Sequence, residues 1–227
     1  MANKNAKNDS NGNVQLKRVL EKLSDENKIK SETVKVVLIG TADIMFDRYL
    51  GKMGNKEASK IPPEQKLYLG SDGETLLFPC LNLLSLLTAS NSDSAPKRFF
   101  STKTYKRTAA AILSNLNIRP VDTSFGNNVI PFVRESAPIK FNKFDGDRDK
   151  TSGVYIAKHV ARVKGGIPND KVRPVLPTPW SLEVELSLDN NDEVTMQEIL
   201  NILQSAGKSI GIGTFRGVYG KFNVAAE

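Results

Sequence analysis

The most restrictive stretch of this 227-residue chain lies near its C-terminus, where Leu182, Val184, Leu186 and Leu188 alternate with Glu183, Glu185 and Ser187. A side-chain period of two puts every apolar residue on one face of an extended segment, so this is a half-buried strand. Past a polar turn at 189–192, Met196, Ile199, Leu200 and Leu203 fall at helical spacing, and Ala206 extends the stripe. Thr195 and Glu198 have the offset of a capping box, and Gly207 reads as the helix stop. A glycine-rich segment, 207–220 (GKSIGIGTFRGVYG), leads to a last strand over 221–224 with Phe222 and Val224 inward. Strand, helix, glycine loop and strand make the closing half of a small α/β sandwich.

The rest of the chain supplies the other half. Residues 1–13 are polar and predicted disordered, and 14–23 (VQLKRVLEKL) carry a rough helical stripe. The continuous apolar run 34–39 (VKVVLI) predicts a central strand, closed by a turn at 40–43. Residues 44–49 continue the core with a charged interruption, and 51–66 form a polar loop. The Asp72-Gly73 pair between 66–69 and 75–78 predicts a hairpin, and Pro79 then opens a helix through Leu87. A second helix is expected over 105–116 (YKRTAAAILSNL), a strand over 129–133, and a surface loop through the polar run 142–150. Residues 154–163 alternate loosely, and the three prolines of 173–179 impose an extended course.

Composition removes several classes of chemistry. One cysteine, Cys80, leaves no intramolecular disulfide and no Cys-rich zinc site; one histidine, His159, leaves no His-dominated metal centre. The polar N-terminus has no apolar segment behind its lysines and does not read as a signal peptide. The most apolar window, 76–87, is too short to span a bilayer. A soluble, intracellular chain of one domain, 14–227, with an insertion around 134–153, is the expectation. Its formal charge of +7 permits nucleic-acid binding without establishing it.

Two features carry candidate chemistry. In the glycine segment, Lys208, Gly211, Gly213, Phe215, Arg216 and Tyr219 combine a permissive backbone, a cationic fork and two aromatic rings. A phosphate needs the first two, and a base stacks on the third. The same residues also fit a tight turn with Phe215 and Tyr219 in the core. A P-loop is excluded because a helix, not a strand, precedes the Gly-Lys-Ser triplet. The second feature is basic density: Lys97, Arg98, Lys103, Lys106 and Arg107 with three aromatics and no acid among them, then Lys158, Arg162 and Lys164 in a stretch with nine Lys/Arg against four Asp over 140–173. Basic residues interleaved with aromatics suit a nucleic-acid groove, or an ordinary solvated face. Asp145, Asp147 and Asp149 faintly suggest a calcium loop, but Ile156 occupies the place of the required glutamate. A metal-dependent nuclease built on those aspartates is set aside, and no triad or acid pair is visible. Cys80 reads as a buried thiol near a helix start, and His159 as a structural or surface histidine.

The ending GKSIGIGTFRGVYGKFNV resembles the C-terminal signature of phage and prophage proteins related to the RAMP (Cas7-like) superfamily, whose usual form is close to AGxxIGIGxxRPxxGxxxGRFxV. Residues 36–49, 76–87 followed by 97–111, and 173–177 with 180–188 agree with that family in order. The chain departs from it at Arg216-Gly217, where the family has Arg-Pro, and its loop is shorter. The resemblance implies an α+β fold with a ferredoxin-like (RRM-like) core, β-α-β-β-α-β, and a long insertion. It further implies single-stranded nucleic-acid binding without catalysis, in RNA-holding filaments that need no cofactor. Carried over, loop 211–220 contacts the strand backbone, Lys97–Arg107 lines the groove, and 134–153 touches a neighbouring copy or another phage or CRISPR-like protein, in the host cytoplasm. The alternative is a phage interaction protein on the same fold that inhibits a host defence complex or sequesters a nucleotide signal.

Overall fold

The computed structural model describes residues 30–51, 61–88, 102–146, 153–162 and 168–226. The chain divides at Ser31 into two units, and the architecture below is that of Glu32–Glu227. The expected tail at 1–13 and helix at 14–23 lie outside the described residues, as do 89–101, 147–152 and 163–167.

In chain order the elements are β1 (Ser31–Gly40), β2 (Ile44–Met45), a 3-10 turn (Pro63–Lys66), β3 (Leu77–Pro79), α1 (Cys80–Thr88), α2 (Thr102–Asn115) and β4 (Leu116–Pro120). There follow β5 (Val129–Arg134), β6 (Ala137–Pro138), β7 (Tyr155–Arg162), β8 (Pro168–Leu176), β9 (Ser181–Asp189), α3 (Met196–Ser209) and β10 (Phe222–Ala226). The central strands lie in the order β10-β1-β9-β4. β10 runs antiparallel to β1, with Phe222 opposite Gly40, and β4 antiparallel to β9, with Leu116 opposite Leu188. At one end of β1 the Gly40 amide donates to the Trp180 carbonyl at 2.8 Å; at the other, Thr33 Oγ1 donates to Ser187 Oγ at 3.1 Å. That cross-pairing makes β1 and β9 antiparallel too. With α1 and α2 between the first two core strands and α3 between the last two, this is the ferredoxin-like β-α-β-β-α-β core in an α+β protein.

One face of the sheet is apolar and covered. Val36 and Leu38 of β1, Leu116 and Ile118 of β4, and all four alternating residues of β9 are buried in one cluster with Leu83, Leu86 and Leu87 of α1, Ile112 of α2 and Ile199 and Leu203 of α3. The period of two in β9 therefore points its apolar set at three helices. Thr195 caps α3 as expected: its side chain accepts from the Glu198 amide while Glu198 Oε2 accepts from the Thr195 amide at 2.8 Å.

Two expectations are corrected here. The second helix ends at Asn115, not Leu116, and a strand follows at once. Leu116, Ile118 and Pro120 are buried while Asn117 and Arg119 are exposed. That alternation is masked in sequence because Leu116 also completes the helical stripe before it. Gly207 does not stop α3, which runs on to Ser209. A Cβ at Gly207 would lie 2.5 Å from the Phe222 carbonyl oxygen, so its glycine is there for close approach of helix to strand.

Two long inserts decorate the core, 41–79 before α1 and 121–180 between β4 and β9. β5 takes the part of β9's edge that β4 leaves, with Phe132 opposite Leu182, and then pairs with β3 and β6. Residues 139–144 return to the body, where Ile139, Phe141 and Phe144 pack against the core. The Phe132 ring meets those of Phe46, Phe78 and Trp180 edge to face at centroid distances of 5.5–6.0 Å. The expected 66–78 hairpin closes around the Leu69–Leu76 bridge, with the Gly70 amide donating to the Thr75 carbonyl and the Leu77 amide to the Tyr68 carbonyl, both at 2.9 Å, while the other edge of Leu77–Pro79 pairs with β5. A second, three-stranded sheet of order β2-β8-β7 carries a long ribbon, in which Tyr155–Arg162 pairs with Pro168–Val175.

Candidate functional site

Residues 210–220 leave α3 and fold back on themselves before entering β10. The Ile212 amide donates to the Gly220 carbonyl at 3.0 Å, and the Gly220 amide to the Asp43 carbonyl at 2.7 Å. Gly220 has φ +69°, and a Cβ there would meet the Ile212 carbonyl oxygen at 1.9 Å, so no other residue fits. The Thr214 amide donates to the Met45 carbonyl at 3.0 Å, tying the loop to β2. Phe215 and Tyr219 are half-buried and turned toward β7. His159 stands 5.2 Å from the Phe215 ring and hydrogen-bonds the Tyr219 hydroxyl through Nε2 at 2.8 Å.

Asp43 is the second anchor. Its buried carboxylate accepts from Tyr155 Oη at 2.8 Å through Oδ2 and from the Thr178 amide at 3.2 Å through Oδ1. One residue thus joins the β1–β2 turn to β7 and to the lead-in of β9, while its carbonyl holds the glycine loop.

Between these anchors and α1 opens a cleft of about 340 Å³. Phe46, Phe78, Leu86 and Ile212 give it apolar walls; Asp47, Tyr49, Asn82, Ser85, Thr214 and Arg216 give it polar ones. Gly213 exposes its backbone to the same space. Tyr49 is 75% exposed, and the Arg48 guanidinium sits 5.9 Å from the centroid of the Tyr68 ring, another wall of the cleft. Behind the wall, Arg173 Nε lies 2.8 Å from Asp47 Oδ1, an ion pair by distance without hydrogen-bond alignment. The buried Lys66 ammonium donates to the Val172 carbonyl at 2.8 Å. The surroundings are therefore rich in cations, with one carboxylate facing the cleft.

The candidate residues from sequence are distributed unevenly around this cleft. Gly213 and Arg216 line it. Gly211 is buried beneath the loop, and Phe215 and Tyr219 pack on the His159 side. Lys106 is exposed on α2, and Arg107 there faces Glu193 at 3.4 Å. Lys158 is exposed on β7 and Lys208 on α3; neither they nor Lys106 and Arg107 are among the cleft walls. Lys97, Arg98 and Lys164 lie outside the described residues, as do the side chains of Lys103 and Arg162. Of the three aspartates set aside above, Asp145 accepts from the Gly153 amide at 3.1 Å, and Asp147 and Asp149 are outside the described residues. Among the described residues no group of three His, Cys, Asp or Glu is placed to hold a metal ion.

Sequence reasoning missed Asp43, Asp47, Tyr49, Asn82 and Ser85. The only signal was the charged interruption after an apolar run at 44–46. The open face of the core sheet is not an aromatic platform: strand alternation presents Lys35, Val37, Ile39, Asn117, Arg119, Glu183, Glu185 and Asn223 there. Glu183 and Glu185 offset Lys35 and Arg119, so these residues give a polyanion no net positive charge.

Burial sets the one thiol apart from this chemistry. Cys80, at the start of α1, is pushed up to about 11 by desolvation, so it carries no thiolate near neutral pH. No described helix is long and apolar enough to cross a membrane.

No protein-family model matches the chain, and no curated protein does. Among solved structures it is similar to a chain of the cryo-EM structure of the Type III-B Cmr-beta bound to cognate target RNA, at 12% identity and a TM-score of 0.43, covering 98% of this chain and 67% of that one. At that level of similarity the fold assignment rests on the strand order described above.

Proposed function

We propose that the protein is a non-catalytic binder of single-stranded nucleic acid that seats the strand in the cleft beside the glycine loop. The observation that carries this reading is the meeting, in one open cleft, of Arg216, the exposed backbone of Gly213 and the solvent-facing ring of Tyr49. An arginine fork and a bare backbone suit a phosphate, and a tyrosine face suits a base. The binding surface is thus the cleft rather than the open sheet face, and Tyr49 takes the stacking role that the sequence suggested for Phe215, Tyr219 or Tyr105.

Fluorescence anisotropy with labelled single-stranded RNA and DNA of ~30 nucleotides, at ~50 and ~300 mM salt, tests this, because phosphate-driven affinity must fall with salt. Arg216→Ala should weaken binding and reduce the slope of log affinity against log salt by ~0.7, the share of one phosphate contact on a single strand. Equal binding by R216A and the wild type, or no binding at low salt, overturns the reading.

A further inference from the structure

We infer that the cleft receives one nucleobase of the bound strand and that Asp47 selects a base carrying an exocyclic amine, adenine, cytosine or guanine, over uracil or thymine. This rests on the proposed single-strand binding and adds base selectivity to it. The cleft's volume of about 340 Å³ falls at the small end of ligand pockets and suits one nucleotide rather than a longer segment. Its apolar walls, Phe78, Leu86 and Ile212, fit a ring inserted edge-first. A phosphate is repelled from the Asp47 end, because a carboxylate there offers only acceptors. The phosphate therefore goes to Arg216 and the base to Asp47.

What Asp47 accepts follows from its surroundings. Arg173 reaches only Oδ1, and without hydrogen-bond alignment. Oδ2 has no partner among the described residues, so the carboxylate keeps acceptor capacity toward the cleft. Cytosine N4, adenine N6 and guanine N2 each present N–H donors that a carboxylate accepts. Uracil and thymine present an N3–H flanked by two carbonyl oxygens, whose lone pairs face the carboxylate. Asn82 and Ser85 on the α1 wall, whose side chains make no hydrogen bond to the described residues, can donate to the ring nitrogen beside the amine.

Anisotropy with short oligo(rC), oligo(rA) and oligo(rU) strands separates this selectivity from binding as such. Oligo(rC) and oligo(rA) should bind about tenfold tighter than oligo(rU), the order expected of one good base-edge contact. Asp47→Asn keeps the shape of the side chain but adds a donor, and should erase or reverse that preference. R216A should weaken all three strands alike. Free CMP competes poorly if the base is read as part of a strand. Equal affinity for the three oligomers, with loss on R216A, overturns the base selection and leaves single-strand binding standing. A preference that survives in D47N overturns the role of Asp47. Failure of every strand to bind overturns both readings, and displacement by CMP more readily than by oligo(rC) overturns recognition within a strand in favour of a free nucleotide.

Discussion

Removing the Asp43 carboxylate is the sharpest test of how the site is held. Asp43→Ala takes the acceptor from Tyr155 Oη and from the Thr178 amide, leaving a tyrosine hydroxyl buried at a residue only 4% exposed. Hydrogen bonds to a charged group contribute about 1.5–3 kcal/mol each, so the two shorter ones set the loss between about 3 and 6 kcal/mol, and the third, from Thr178 Oγ1 at 3.5 Å, adds little. Water entering the vacated space recovers part of that, and we expect about 3–4 kcal/mol. Tyr155→Phe removes the donor but leaves the carboxylate its other partners, and should cost only about 1.5 kcal/mol. In the double variant the Asp43–Tyr155 contact is lost once rather than twice. The cycle should therefore give a coupling of about 1.5–2 kcal/mol.

Equilibrium unfolding in urea at neutral pH measures all four proteins. Trp180 is the only tryptophan, and its Nε1 donates to the Ala42 carbonyl at 2.9 Å, one residue from the substitution, so its fluorescence reports locally while far-UV dichroism reports globally. Coincident transitions with an unchanged slope would justify reading the midpoints as free energies. A loss below about 1 kcal/mol for D43A, or additive single variants, would refute the view that this carboxylate ties the ribbon and the lead-in of β9 to the β1–β2 turn.

Three further outcomes are expected. Asp72 accepts from Thr75 Oγ1 at 2.6 Å and from the Thr75 and Glu74 amides, which lower its carboxyl from 3.8 to about 2. The folded form binds that proton less readily than the unfolded chain, so the contribution is complete above 3.8 and fades as pH falls through about 2. Carboxyl NMR should place the midpoint there, and the stability advantage over Asp72→Asn should vanish at the acid end; a midpoint near 3.8 would contradict the turn geometry. Cys80 should resist a thiol reagent at pH ~8 in the native protein and react once denatured, since burial suppresses its thiolate; rapid native labelling would place the thiol at the surface. Gly207→Ala, which gains about 1 kcal/mol in an ordinary helix interior, should instead cost about 2 kcal/mol because the new methyl meets Phe222; a raised melting temperature would show that helix and strand are not in close contact.

What the sequence determined by itself was the set of features that one segment specifies alone. The period of two in 182–188, the helical stripe and capping box of 195–206 and the apolar run of 34–39 each act within one element, and each stands in the structure as expected. The ferredoxin-like core was implied instead by the family resemblance that the glycine-rich ending carries. The end of α2 and the role of Gly207 were not legible, because Leu116 satisfies both a helix and a strand pattern and a glycine's neighbour across a packing interface is invisible from its own segment. The cleft belongs wholly to the tertiary structure. Its walls come from residues 45–49, 68, 78–86 and 212–216, and the cation behind Asp47 is Arg173, on a different strand. Whether an aromatic ring stacks on a ligand or on a histidine depends on what the fold sets opposite it: His159 takes Phe215 and Tyr219, and solvent is left to Tyr49. Periodicity encodes which face of an element is buried; long-range packing alone decides which chemistry meets across a gap.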